Sequence, residues 1–270
     1  MPNFQGLDLT GKTAIVTGAS RQRGANVVVN FTSANSKQRA IDVVQKIEAN
    51  GSRSILCQAS VANVKEISQI VDAALQLSQN GKIDIVIHKY DPLFSLLFHQ
   101  ARMLTMTTNS AALGVDANLD EVTEELFQTH FDTNVKGPIF LTKAVIPHIA
   151  KGGRVVFVSS AAARLGVAGQ TVYGATKAAN ESCARVWAKE LGQSHEITVN
   201  CVNPGPVATD QWQESDDQFR KDMQPLIEST PAAARIAEVD DIAPLVAFLC
   251  TDDARWTTGS VLCANGGLYN

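Results

Sequence analysis

Short apolar runs alternate with longer amphipathic stretches along this chain. The runs are Thr13–Thr17, Asn26–Asn30, Ser54–Cys57, Ile83–Ile87, Arg154–Val158, Ile197–Val202 and Ser260–Cys263. Most are continuously apolar and rich in β-branched residues, the pattern of parallel strands covered on both faces. Between them, residues 37–49 put Ala40, Val43, Val44 and Ile47 on one helical stripe, and residues 64–79 do the same with Val64, Ile67, Val71, Ala74 and Leu75. Further helices are expected over 119–150, broken near Pro147, and over 171–192 and 239–250. The alternation predicts an α/β fold, a doubly wound parallel sheet of about seven strands. No repeat, low-complexity tract or linker divides the chain, so residues 1–270 are expected to form a single domain.

Two places interrupt the pattern. Only seven residues separate Thr17 from Ala25, whereas a parallel crossover takes roughly 10–12 residues including its helix. The first crossover helix is therefore expected to be missing. After the fourth strand, residues 89–108 (KYDPLFSLLFHQARMLTMTT) hold many apolar side chains with no clean stripe, and read as an insertion.

Composition narrows the class. With 45% hydrophobic and 19% charged residues over 270 positions, the chain is too apolar for a disordered polymer and long enough for one large core. A net charge of −4 gives no basic surface for nucleic acid or an anionic membrane. The start, MPNFQGLDLTGK, lacks the features of a secretory signal, and no run approaches ~18 uninterrupted apolar residues, so no membrane helix is expected. The five cysteines (57, 183, 201, 250 and 263) show no CxxC spacing and read as buried free thiols in a reducing compartment. A cytoplasmic location follows as an expectation.

The candidate chemistry begins with Tyr173 and Lys177, four apart in a helix-compatible segment and so on one face. An ammonium beside a phenol favours the phenolate and makes the tyrosine a usable proton donor near neutral pH. A partly buried tyrosine beside a surface lysine has the same spacing. Ser160 closes the strand Val155–Ser160, at the carboxyl edge where open parallel sheets bind ligands; a turn or cap residue fits there equally. Thr17-Gly18-Ala19-Ser20-Arg21 ends the first strand, where a turn normally meets a pyrophosphate, and the loop Asn203–Thr209 follows the sixth.

Taken together, TGASR at 17–21, Asn134 in DTNVKG, Ser160 with YGATK at 173–177, NPGPVAT at 203–209 and TGSVLCANGG at 258–267 resemble the short-chain dehydrogenase/reductase family, from about residue 10 to 267. The closer likeness is to fungal polyhydroxynaphthalene and polyketide ketoreductases, through VVNFTSANS, Arg255-Trp256-Thr257-Thr258-Gly259 and Asn109-Ser110-Ala111. The resemblance implies a Rossmann-like fold, a hydrophobic ketone substrate in secondary metabolism, and a homo-oligomer, tetramer or dimer, with neither nucleic acid nor membrane as partner. It also implies roles. Tyr173 donates a proton to the ketone oxygen, Lys177 lowers the Tyr173 pKa and holds the nicotinamide ribose, Ser160 orients the carbonyl, and Asn134 holds a water in the proton relay. Cofactor contacts are implied for Gly18, Ser20 and Arg21, for Asn30, Thr32 and Ser33, for Asn109, and for Val207 and Thr209 beside the carboxamide. No acidic residue stands at Asn30-Phe31-Thr32-Ser33 to take a ribose 2′-hydroxyl, and Arg21 suits a 2′-phosphate, so NADP(H) is expected over NAD(H).

Two departures stand out. After TGASR the family continues with Gly-Ile-Gly and a helix, while here Gln22-Arg23-Gly24 leads straight into Ala25, leaving about eleven residues absent from the crossover. Excising 89–108 would leave Ile87-His88-Asn109-Ser110-Ala111, a family turn. Both lesions are in frame and their flanks rejoin into motif, which points to translated intron and a misplaced splice boundary. A lid beside the cofactor is the other reading of 89–108. Ser60 stands where the family usually has Asp near the adenine. The leading expectation is an NADPH-dependent ketone reductase; the alternative is a catalytically silent homologue unable to hold the dinucleotide well. Trp212, Phe219, Met223 and Leu226 are candidates for either an apolar substrate pocket or ordinary helix packing.

Overall fold

The structure is a computed structural model that describes residues 9–17, 25–88, 117–208, 212 and 217–269. Its centre is a seven-stranded sheet in which every pairing is parallel. The strands are β1 (Thr13–Thr17), β2 (Asn26–Phe31), β3 (Ser54–Gln58), β4 (Ile83–His88), β5 (Ile149–Val158), β6 (Thr198–Pro204) and β7 (Val261–Ala264). Their spatial order is β3-β2-β1-β4-β5-β6-β7. The chain winds outward in one direction from β1 to β3, then restarts at β4 and winds the other way. Open parallel sheets bind ligands at such a reversal, here beyond the carboxyl ends of β1 and β4.

Helices cover both faces. On one side lie α1 (Lys37–Ala49) and α7 (Val239–Leu249), whose Val43, Ile47, Ile242 and Val246 share a buried cluster with Val16, Val29, Ile87 and Val202. On the other lie α2 (Ile67–Leu77), α4 (Gly137–Val145) and α5 (Thr171–His195), packing Ile70, Val71, Leu141 and Ala184 on Ile15, Val28, Val86 and Phe157. Strands so covered bury every residue, as β1 and β2 do. The short α3 (Glu124–Phe131) and α6 (Asp217–Glu228) complete the set among the described residues.

Three expectations are corrected. The stretch 119–150 is not one helix: α3 passes through a π-helical turn, Asp132–Lys136, into α4, and a 3₁₀ turn at Ile146–His148 containing Pro147 ends it. From Ile149 the chain is already strand, because Ile149 pairs with Ile83 before a register shift brings Arg154 opposite Ile85. Val64 is exposed, since the second helical stretch opens as a 3₁₀ turn and its buried stripe starts at Ile67. Of the cysteines, Cys57, Cys201 and Cys250 are buried, with burial pushing the thiols up to about 11, 12 and 12, but Cys263 is exposed and Cys183 half-buried. Residues 18–24 and 89–116 lie outside the described residues, and with them the expectations of an absent crossover helix and of an insertion; the connection from β1 to β2 has eight residues. No described helix is long and apolar enough to cross a membrane.

Candidate active site

α5 starts beside the carboxyl end of β5 and carries two of the expected groups on one stripe. Tyr173 and Lys177 are both buried, at 5% and 1% exposure, and the Lys177 ammonium lies 5.4 Å from the Tyr173 ring centroid. Lys177 Nζ donates to the carbonyl of Val158, the last residue of β5, at 3.1 Å. A lysine this deep keeps its position because backbone oxygen replaces water around the ammonium.

Ser160 follows directly. Its side chain accepts a hydrogen bond from the Ala162 N–H at 3.2 Å and so caps the short turn Ala161–Ala163. The hydroxyl proton is left to donate elsewhere, since this bond uses only an oxygen lone pair. Gly174 brings that turn and the tyrosine together. A Cβ on Gly174 would lie 2.7 Å from the Ala162 carbonyl oxygen, closer than side chains tolerate, so only glycine lets α5 pack directly on the Ser160 turn.

Asn134 sits in the π-helical turn and is fully buried. Such one-turn distortions of an α-helix recur where a side chain is aimed at a site. Its Nδ2 donates to Thr176 Oγ1 at 3.0 Å, and Thr176 Oγ1 donates to the Tyr173 carbonyl at 2.7 Å. The Asn134 Oδ1 has no hydrogen-bond partner among the described residues. A buried orphan acceptor is costly unless a water or ligand donor reaches it, and it suits the water expected in a proton relay. Thr176 had no signal in the sequence: it stands 42 positions from the asparagine it holds.

At the end of β6, Val207 forms a parallel bridge with Ala237. The bonds are made by its neighbours, Ala237 N–H to Pro206 O at 2.9 Å and Ala208 N–H to Ala237 O at 2.8 Å. Val207's own N–H and C=O therefore point away from Ala237, an amide-sized donor and acceptor pair that fits a carboxamide.

Asn30 and Ser33, expected to contact the cofactor, are hydrogen-bonded within the protein. Asn30 Nδ2 donates to the carbonyls of Cys57 at 3.2 Å and Ala59 at 2.8 Å, tying β2 to β3. Ser33 Oγ lies 2.9 Å from Ser36 Oγ in the cap that leads into α1, and Thr32 is half-buried at the strand end. At Ser60 the backbone N–H donates to Glu66 Oε2 at 2.7 Å. Gly18, Ser20, Arg21, Asn109 and Thr209 lie outside the described residues.

Among the candidate pocket residues, Trp212 meets Phe219 edge-on with ring centroids 6.2 Å apart, and Met223 and Leu226 are half-buried on α6. A cavity of about 240 Å³ between α6, α7 and β7 is lined by Ile227, Arg235, Ile242 and Leu268 rather than by those four. The described residues hold no cluster of metal-ligating side chains.

Known proteins resemble this chain over most of its length. Residues 89–269 match a family model described as enoyl-(acyl carrier protein) reductase. A short-chain dehydrogenase/reductase, FrzI of Cladobotryum sp, is 37% identical over 96% of each chain. The hydroxynaphthalene reductase-like protein Arp2 of Metarhizium guizhouense is 32% identical over 96% of this chain and 95% of its own. Among solved structures, the angucycline C-6 ketoreductase LanV with bound NADP superposes with a TM-score of 0.79 at 28% identity, covering 97% of this chain and 96% of its own.

Proposed function

Since the chain belongs to the short-chain dehydrogenase/reductase family, we propose that it is a single-domain, NADPH-dependent reductase of a hydrophobic aromatic or polyketide-type ketone. The observation that carries this reading is the join of Tyr173, Lys177 and Asn134 to the Ser160 turn across Gly174. NADPH supplies the hydride when bound. The protein's part is orientation and the proton.

Ser160, whose oxygen already accepts from Ala162, donates a hydrogen bond to the ketone oxygen, keeping its own proton, and fixes the carbonyl. Tyr173 donates its phenolic proton to the same oxygen as negative charge develops there. The Lys177 ammonium stabilises the phenolate that results. Asn134 Oδ1 accepts from a water that leads a replacement proton towards Lys177. Val207 orients the carboxamide with its backbone N–H and C=O.

Preference for the phosphorylated coenzyme is supported by the residues at the end of β2, Asn30 to Ser33, which include no carboxylate, and by Arg21 in the phosphate turn. The substrate class is supported by the likeness to Arp2, described as a hydroxynaphthalene reductase-like protein, and to LanV, an angucycline C-6 ketoreductase. A role in secondary metabolism, a cytoplasmic location and a homodimer or homotetramer belong to the same proposal. The test is calorimetric binding of NADPH and NADH to the purified full chain, followed by NADPH oxidation with 2-tetralone as a fused-ring ketone. Tighter binding of NADPH and ketone-dependent oxidation are expected. A folded protein that binds neither coenzyme would overturn the reading in favour of a silent homologue.

A further inference from the structure

One buried acid on the catalytic helix has no part in the chemistry above. Glu181 stands one turn beyond Lys177 on α5, on the stripe that carries Tyr173, and its side chain is 6% exposed. A carboxylate this deep persists only when it is fully satisfied. Three separate parts of the chain satisfy it. Arg164 Nε, from the loop just after the Ser160 turn, donates to Oε2 at 3.1 Å. Asn203 Nδ2, at the end of β6, donates to Oε1 at 2.6 Å, and the Ser159 hydroxyl reaches the same oxygen at 3.3 Å.

The partners are held in turn. Ser159 Oγ also lies 3.2 Å from the Lys177 carbonyl, to which it can donate alternately. Tyr269, near the chain's end, donates its hydroxyl to Asn203 Oδ1, and the Arg164 guanidinium lies over its ring with 5.8 Å to the centroid. The acid is thus the point where the Ser160 segment, the helix bearing Tyr173 and Lys177, and the root of the Val207 loop are tied together.

We propose that Glu181 is a positioning residue that sets the Ser160 turn and the Pro204–Val207 loop in register with Tyr173 and Lys177. It acts through Arg164 and Asn203 and touches no reacting atom. A buried carboxylate that bonds Arg164 of one loop and Asn203 at the root of another fixes their relative placement more sharply than packing does, because each hydrogen bond has a narrow range of distance and angle. Catalytic rates are sensitive to displacements smaller than those that unfold a protein.

The inference rests on the reductase reading, and the experiment separates the two. Glu181→Gln keeps the side-chain volume and removes the charge that holds Arg164; Arg164→Met removes the other partner. With NADPH saturating and 2-tetralone varied, each variant is expected to lose kcat roughly ten- to hundredfold, with NADPH affinity within about twofold of the parent. The double variant is expected to lose no more than the worse single one, because the two act as one unit. Unchanged kcat, additive losses, or a fall in NADPH affinity matching the fall in kcat would each overturn the clamp. If the parent chain reduces no ketone, the reductase reading fails by itself, and amide hydrogen exchange decides the clamp. Faster exchange in Glu181→Gln confined to residues 159–165 and 203–208 supports it, and unchanged exchange there overturns it.

Discussion

His88 ends β4 with its imidazole sealed from water. It is 1% exposed, stacks on Phe157 with ring centroids 4.8 Å apart, meets Trp187 at 6.3 Å, and lies 2.7 Å from Thr142 Oγ1 through Nε2. Burial pushes its pKa down from 6.5 to about 3. Between those two values the unfolded chain holds a proton at this site that the folded chain does not, so stability rises with pH across the window and is flat above it. At 1.36 kcal/mol per pH unit, moving from pH 7 to pH 5 removes about 2 kcal/mol, a large share of a typical stability of ~5–15 kcal/mol. His88→Asn abolishes the titration while keeping a polar group for Thr142. Urea unfolding of parent and variant at pH 7, 6 and 5 isolates the effect, because every other group titrates alike in both chains. The gap between the two curves should change by about 2 kcal/mol in favour of the variant on going to pH 5. Curves parallel to within roughly 0.5 kcal/mol, the scatter of neutral substitutions, would refute the assignment of a neutral, buried imidazole.

Two further outcomes follow from the site. Tyr173→Phe removes the proton donor and leaves the ring packing, so ketone reduction should fall by roughly 10²–10⁴-fold while calorimetric NADPH affinity changes little; a variant with more than half the parent rate would exclude Tyr173 as the acid. Gly174→Ala puts a methyl group 2.7 Å from the Ala162 carbonyl oxygen, so α5 must move off the Ser160 turn. A loss of about 1–3 kcal/mol by thermal unfolding is expected, with a kcat loss greater than that of an equally destabilised core variant such as Leu141→Ala.

Much of the sheet is legible in the sequence because parallel strands buried on both faces are continuous apolar runs. β1 coincides with its run, and β2, β3 and β4 each extend it by one residue. β5 departs because its first half, Ile149 to Gly153, is interrupted by Lys151 and two glycines; Gly152 takes a positive φ of 74°, which a pattern of side chains does not report. The π-helical turn at Asp132–Lys136 is equally silent, since one extra residue in a helix leaves the local composition unchanged. Within the site, the i, i+4 pair Tyr173 and Lys177 is local and can be read directly. The bond from Asn134 to Thr176 and the three donors on Glu181 are not local: they join residues 17 to 42 positions apart and exist only once β5, β6 and α5 are assembled.

The groups proposed for proton transfer lie beyond residue 117, on α5, the π-helical turn and just past the end of β5, whereas the short connection proposed to meet the pyrophosphate lies between β1 and β2. Damage to the one need not disturb the other. Pyrophosphate contacts are made equally in the ground state and the transition state of hydride transfer, so losing them weakens binding without slowing the chemical step. A deficit of about 3 kcal/mol, the scale of one or two charge-assisted hydrogen bonds, corresponds to roughly a hundredfold in NADPH affinity. Inserting a Gly-Ile-Gly turn with a helix between Arg21 and Ala25 should therefore lower the NADPH KM by about that factor and leave kcat at saturating coenzyme within a few-fold. A kcat that rises with the insertion, at coenzyme concentrations saturating both chains, would show instead that the short connection disturbs the sheet edge on which Ser160 and Tyr173 depend.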